Sequence, residues 1–232
     1  IQEAAIAKFV PRAFLHLVGC RRITDVQLGM HVKKSDLTIM EMEVLNFDLV
    51  SQRMSDEEVF ALLNRYLSFV GPLVRKYDGF IQSYAGDKCI ALFTNSEKAV
   101  KASMDIQEML YTFNADQTVD IKLGTRIHCD SALIGTLGEN EKIDGAILSP
   151  SYSSIKNTLT RITSKLKAKT LVTNRVFEQK RAQQKYQTRK IGVVATQQVQ
   201  PHHHNQLSYN DGTASTAPAT TTIHPLVYDK LL

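Results

Sequence analysis

The stretch GFIQSYAGDKCIALF, residues 79 to 93, decides how the rest of the chain is read. Two runs of strand-forming residues, GFIQSY (79 to 84) and KCIALF (88 to 93), flank Ala85-Gly86-Asp87, a pattern that predicts a β-hairpin. The turn sets a lone carboxylate, Asp87, just ahead of Cys89, Ile90, Ala91, Leu92 and Phe93, which must be buried. A carboxylate at the edge of a buried run needs a chemical reason, because a charge leaves water only at a cost.

Working outward, DLTIMEMEV (36 to 44) alternates, with Thr38, Met40, Met42 and Val44 on one face and Leu37, Ile39, Glu41 and Glu43 on the other; it is read as a strand. Ser55 to Glu58 matches a capping box, and Val59, Leu62, Leu63, Tyr66, Phe69 and Val70 follow at helical spacing until Gly71-Pro72, where the helix is expected to break. A second capping box, Thr94 to Glu97, predicts a helix with Val100, Met104, Met109, Leu110 and Phe113 inward. Upstream, FVPRAFLHLVG (9 to 19) reads as a short amphipathic helix opened by Pro11 and ended at Gly19. Downstream, IKLGTRIHCDSALIGTLG (121 to 138) predicts a strand pair turning near Asp130-Ser131, followed by a helix over 150 to 167 and a short strand, TLV (170 to 172). Asn174 to Gln184 is read as a helix and YQTRKIGVV (186 to 194) as a strand. Strands and helices alternate without a long block of either, so the fold class is α+β, a sheet with helices packed on it.

Residues 195 to 222 break the pattern: Gln, Asn, Ser, Thr, Ala and Pro dominate, and the tract is read as a flexible insertion. Three adjacent histidines within it, His202 to His204, cannot point the same way and are read as solvated. PLVYDKLL (225 to 232) is expected to return as a final edge strand, with Pro225 tolerated at its start. The organisation expected is therefore an N-terminal helix and linker (1–35), a main domain (36–194), the insertion (195–222) and a last strand within 223–232.

Composition narrows the classes of function. A chain of 232 residues, 43% hydrophobic, can bury one substantial core. Its three cysteines, Cys20, Cys89 and Cys129, have no paired spacing and are read as free thiols of a reducing compartment. No apolar stretch approaches the ~20 residues of a membrane span. A net charge of +5 is too small to imply nucleic acid, and the eleven Lys and Arg between Lys156 and Lys190 are read as solvated faces without interleaved stacking aromatics.

If the strands holding Glu43 and Asp87 are neighbours, Glu41, Glu43 and Asp87 converge at one sheet end. Either a hard cation such as Mg²⁺, Mn²⁺ or Ca²⁺ offsets their repulsion, or Glu41 and Glu43 lie on the solvated face of an edge strand.

At these residues the chain resembles the class III adenylate and guanylate cyclases. FVPRAFLHLVG with ITDVQLG, then MSDEEVFALLNRYLSFVGPLVRKYDGFIQSYAGDKCIALF, KAVKASMDIQEML, IGTLGENEKIDG and LVTNRVFE match in order, covering nearly 1–194 and the final strand. The resemblance implies a ferredoxin-like α+β domain with a mostly antiparallel sheet, paired head to tail, with ATP or GTP at the dimer interface. Two Mg²⁺ or Mn²⁺ ions held by two aspartates would activate the ribose 3′-hydroxyl for attack on the α-phosphate, releasing pyrophosphate. By resemblance Asp87 is the second metal ligand and Glu43 stands at the first. Val44, Leu45, Asn46 and Phe47 form the relic of the phosphate loop, with Asn46 where the family has glycine. Ser83 replaces the base-selecting lysine and Ala146 its partner. Ser153 replaces the ribose-orienting asparagine and Asn157 the arginine that stabilises the transition state; Arg161, one turn on, is the candidate substitute. The phosphate-binding lysine has given way to Val194-Ala195-Thr196.

The resemblance thus implies a cyclase homology domain of cyclic-nucleotide signalling, impaired as a homodimer and acting as a regulatory or dimerisation module. The alternative is the metal-binding half of a heterodimer with another cyclase domain. The expected setting is the cytoplasmic part of a larger membrane-tethered or multidomain protein.

Overall fold

In the structure, a computed structural model, residues 10–178, 192–196 and 219–226 are described. The organising element is β1 (His31–Val44), which begins earlier than its alternation suggested and lies inside the sheet rather than at an edge. The hairpin β2 (Phe80–Ala85) and β3 (Lys88–Phe93) forms as expected, turning through Gly86 at φ 61, a backbone conformation that glycine adopts without strain. β3 pairs antiparallel with one side of β1, and β4 (Leu123–Gly138) with the other. With β5 (Ile143–Leu148), β6 (Thr170–Thr173), β7 (Gly192–Thr196) and β8 (Ala219–Leu226), the described strands form an eight-stranded sheet in the order β2-β3-β1-β4-β6-β8-β7, β5 pairing with β4; only β4 and β6 pair parallel among the described strands.

Residues 121 to 138 do not form the expected hairpin. β4 passes straight through Asp130-Ser131, because the irregularity lies on the other strand: β1 shifts register between Lys34 and Leu37, opposite Ala132 and Asp130. The Asp130 carboxylate that suggested a turn accepts instead from its neighbour Ser131 N and from Arg175. The true hairpin follows later, from β4 into β5.

Helices α1 (Arg12–Leu17), α2 (Phe47–Arg53), α3 (Asp56–Lys76), α4 (Ser96–Ala115), α5 (Pro150–Leu166) and α6 (Asn174–Glu178) pack on this sheet. The Ser55 to Glu58 capping box opens α3, with both reciprocal bonds present. The helix then runs on through Gly71-Pro72 to Lys76, correcting the expected break. Pro72 is exposed while Val70, Gly71 and Val74 are buried, so the apolar stripe outweighs the backbone bond that proline deletes. The cap of α4 falls one residue later than expected, on Asn95, whose Oδ1 accepts from Glu97 N at 2.9 Å and Lys98 N at 3.3 Å. Ser96, fully buried against the Thr38 hydroxyl at 2.8 Å, pins that first turn to β1.

The alternation of β1 separates two cores. Met40, Met42 and Val44 face α3 and α4 with Cys89, Ala91, Phe93, Ile127 and Cys129. Leu37 and Ile39 face the other way, joining Phe14, Leu15 and Val18 of the α1 region, Phe80, Leu92, Ala132, Ile134 and Tyr152. The three cysteines are buried thiols outside any disulfide.

The last strands differ from their reading. β7 (Gly192–Thr196) and β8 (Ala219–Leu226) take in residues from both ends of the expected insertion, where Thr220, Thr221, Thr222 and Ile223 carry β-branched side chains suited to a strand. β8 lies between β6 and β7, so β7 rather than the last strand is the edge. The readings of 179–191 and 197–218, the histidine run included, and of 227–232 lie outside the described residues, as do residues 1–9.

Candidate active site

The face of the sheet that carries Leu37 and Ile39 changes character along β1. Two positions on, the same alternation presents Glu41 and Glu43, still in the middle of the sheet, so their carboxylates are covered rather than solvated: Glu41 is 5% exposed. Cross-strand register then fixes their company. Glu41 stands opposite Arg126 of β4, and Glu43 opposite Lys88 of β3. Asp87 precedes Lys88, and its carbonyl accepts from Val44 N at 3.0 Å, so Asp87 sits one position past the Glu43–Lys88 pair at the ends of β1 and β3, near enough to feel the Glu43 charge.

The Arg126 guanidinium is 1% exposed and spans both glutamates: Nη2 is 2.5 Å from Glu41 Oε1 and 2.7 Å from Glu43 Oε2. The first contact is a hydrogen bond; the second is an ion pair without hydrogen-bond alignment, and Arg126 Nε and Nη1 have no hydrogen-bond partner among the described residues. Lys88 Nζ approaches the other oxygen, Glu43 Oε1, at 3.3 Å. Tyr152, from the first turn of α5, donates its hydroxyl to Glu41 Oε2. Burial by itself would raise the Glu41 carboxyl, but the Arg126 charge and the Tyr152 hydroxyl outweigh it and hold Glu41 below the usual range. Tyr152 in turn is driven far up by burial and by the Glu41 charge. Asp87 is raised by burial, with Lys88 opposing and Glu43 adding to the rise.

Whether these side chains fit a divalent cation is decided at Glu43. Its two oxygens already face two protein cations, and Glu41, Glu43 and Asp87 against Arg126 and Lys88 leave a single negative charge rather than three. Among the described residues no group of three or more His, Cys, Asp or Glu side chains is arranged to hold a metal. As folded, the residues do not fit Mg²⁺, which needs near-octahedral oxygen ligands at ~2.1 Å with no resident cation between them.

The other expected positions fall around this cluster. Val44 is buried, and Asn46 is spent on structure: its amide nitrogen donates to Asp120 O at 2.8 Å and its Oδ1 accepts from Lys122 N at 2.7 Å, while the residue caps α2 ahead of Phe47. Leu45 N donates to Lys122 O at 2.7 Å, tying the same loop to the chain before β4. Ser83, half-buried, lies on β2 opposite Ile90, and Ala146, half-buried, on β5 opposite Gly135. Ser153, Asn157 and Arg161 occur at four-residue intervals on α5, all exposed.

Arg126, Lys88, Tyr152 and His128 were missed from the sequence. A signal was present for the first: Arg126 sits inside the strand run LGTRIHC, between Thr125 and Ile127, and a charged residue held within a central strand implies a charged partner across the sheet. The partnering itself depends on register, which the sequence does not state.

No family model matches the chain. The adenylate cyclase of Anabaena cylindrica is 28% identical over 151 residues, 61% of this chain and 30% of that protein. The terminal-differentiation specific adenylate cyclase of Dictyostelium discoideum is 29% identical over 154 residues, 63% of this chain and 7% of that protein. The chain therefore spans less than a third of the length of either relative. Among solved structures, a bacterial light-regulated adenylyl cyclase superposes with a TM-score of 0.73 at 18% identity, over 97% of this chain and 60% of that one. The fold is that of class III nucleotidyl cyclase domains, and the sequence is similar to those of adenylate cyclases.

Proposed function

We propose that this domain serves cyclic-nucleotide signalling as a regulatory or dimerisation module, catalytically impaired as a homodimer and acting within an intracellular part of a longer protein. The observation that carries the reading is the surface of α5. Ser153 and Asn157 stand exposed at the positions where the resemblance calls for the ribose-orienting asparagine and the charge-stabilising arginine. Loss of one preorganised transition-state donor costs about 10²- to 10³-fold in rate, and two are replaced here. Arg161 is displaced by a full helical turn, about 6 Å along the axis, too far to stand in without a shift of α5. Ser83 and Ala146 leave the base position without the lysine and its partner.

A second reading is favoured by the adjacency of Glu43 and Asp87: this chain lends them to a heterodimer whose intact partner supplies the missing asparagine and arginine, converting ATP or GTP to cAMP or cGMP. The contacts of Glu43 with Arg126 and Lys88 weigh against it.

Production of cAMP and cGMP from ATP and GTP with Mn²⁺ tests both. The domain is assayed alone, then mixed with an intact cyclase domain whose own metal aspartates have been removed. Turnover by the domain alone overturns the impaired reading; silence alone with turnover in the mixture establishes the second; silence in both supports the module.

A further inference from the structure

We propose that Arg126 is a tethered cation that replaces the divalent metal at Glu43, so that the domain keeps its carboxylates folded and neutralised without any metal. The inference deepens the reading of the domain as catalytically impaired and rests on it, while concerning a different residue from those on α5.

The placement is built into the sheet. Arg126 lies on β4 directly opposite Glu41, a register fixed by the continuous ladder from Leu37↔Asp130 to Val44↔Leu123. From that position a guanidinium reaches the carboxylates at i and i+2 of β1 with one nitrogen, the 2.5 Å and 2.7 Å contacts described above. It cannot lose its proton to make way for a metal. Nor can it swing aside freely: at 1% exposure it is among the largest fully buried side chains of the domain, and leaving would open a void beside Glu41 and Tyr152. Lys88 takes the remaining Glu43 oxygen from the hairpin side. A divalent ion at this place would add two positive charges within a few ångströms of a buried guanidinium, a repulsion little screened by solvent. What the two glutamates need from a cation they therefore receive from their own chain.

The experiment is a Mn²⁺ titration of the 232-residue chain, followed by electron paramagnetic resonance of the free ion and by thermal unfolding with and without Mn²⁺. Wild type and Glu43→Gln are expected to give superimposable binding curves, with no Mn²⁺-dependent rise in melting temperature for either. Arg126→Met, which keeps volume and removes the charge, is expected to gain Mn²⁺ affinity on the order of tenfold or more, and to lose that gain when Glu43→Gln is added. Wild-type binding that disappears in Glu43→Gln would overturn the proposal, as would an Arg126→Met variant that folds yet binds no better than wild type. Should Arg126→Met fail to fold, the wild-type and Glu43→Gln comparison still decides. The two readings fail separately. Cyclase turnover by the domain alone defeats the impaired function, whereas Glu43-dependent Mn²⁺ binding without turnover defeats only the tethered cation.

Discussion

Acidification should expose the cost of protonating His128. The imidazole is 3% exposed, with Nδ1 3.1 Å from Thr173 Oγ1, Nε2 3.1 Å from Ser151 Oγ, and the Tyr152 ring stacked at 5.9 Å. Two hydroxyls suit a neutral ring, one accepting its single N–H and the other donating to its lone pair. Burial lowers the pKa from 6.5 to about 4, against a smaller upward pull from Asp130, with Arg175 adding to the fall. Between those values the unfolded chain binds a proton that the native domain does not, so stability is lost as pH falls. The contribution is fully present above pH ~6.5 and gone by pH ~4. A gap of about 2.5 in pKa, at about 1.36 kcal/mol for each, makes it worth about 3 kcal/mol. Carboxylates titrate over the same range, so the wild type is compared with His128→Gln in urea unfolding followed by far-ultraviolet circular dichroism at pH 7.5 and 4.5. The variant should be less stable at pH 7.5, having lost its packing, yet should lose about 2.5 kcal/mol less than wild type on acidification to pH 4.5. Parallel losses in the two proteins would refute the reasoning, because they would mean that the ring already carries its proton in the native state or is solvated there.

Other substitutions test the packing around the site. Arg126→Leu leaves Glu41 and Glu43 without their shared cation and should cost about 3–5 kcal/mol, while adding Glu41→Gln should recover part of the loss, as urea midpoints would report. Gly135→Ala would set a methyl group 2.2 Å from the Met30 carbonyl oxygen, where β4 passes the start of β1; backbone must move, and a loss of about 1–3 kcal/mol is expected from thermal unfolding. Asn95→Ala removes the α4 cap and should cost about 1 kcal/mol, whereas Thr94→Ala, at the position the sequence favoured, should cost almost nothing.

Much of this domain was legible in its sequence because the signals are local. The β2–β3 hairpin follows from Gly86 between two strand-forming runs, the start of α3 from Ser55 and Glu58, and the alternation of β1 from residues two apart meeting one face. These depend on backbone preferences and on neighbours within a few residues, which the chain states directly. The same local logic misled where burial competed with it. Pro72 did not end α3, because the helix buries a stripe on either side of it; Asp130 did not make a turn, because a bulge on β1 and Arg175 answered its needs. At the candidate site the sequence supplied the candidates, Glu43 and Asp87 from the strands and, by resemblance, Ser153 and Asn157 on the helix. It could not determine what those carboxylates face. That Arg126, 83 positions beyond Glu43 by the numbering, lies one strand away and neutralises it is a consequence of sheet register, which is set by the sum of many packing contacts rather than by any nearby residue.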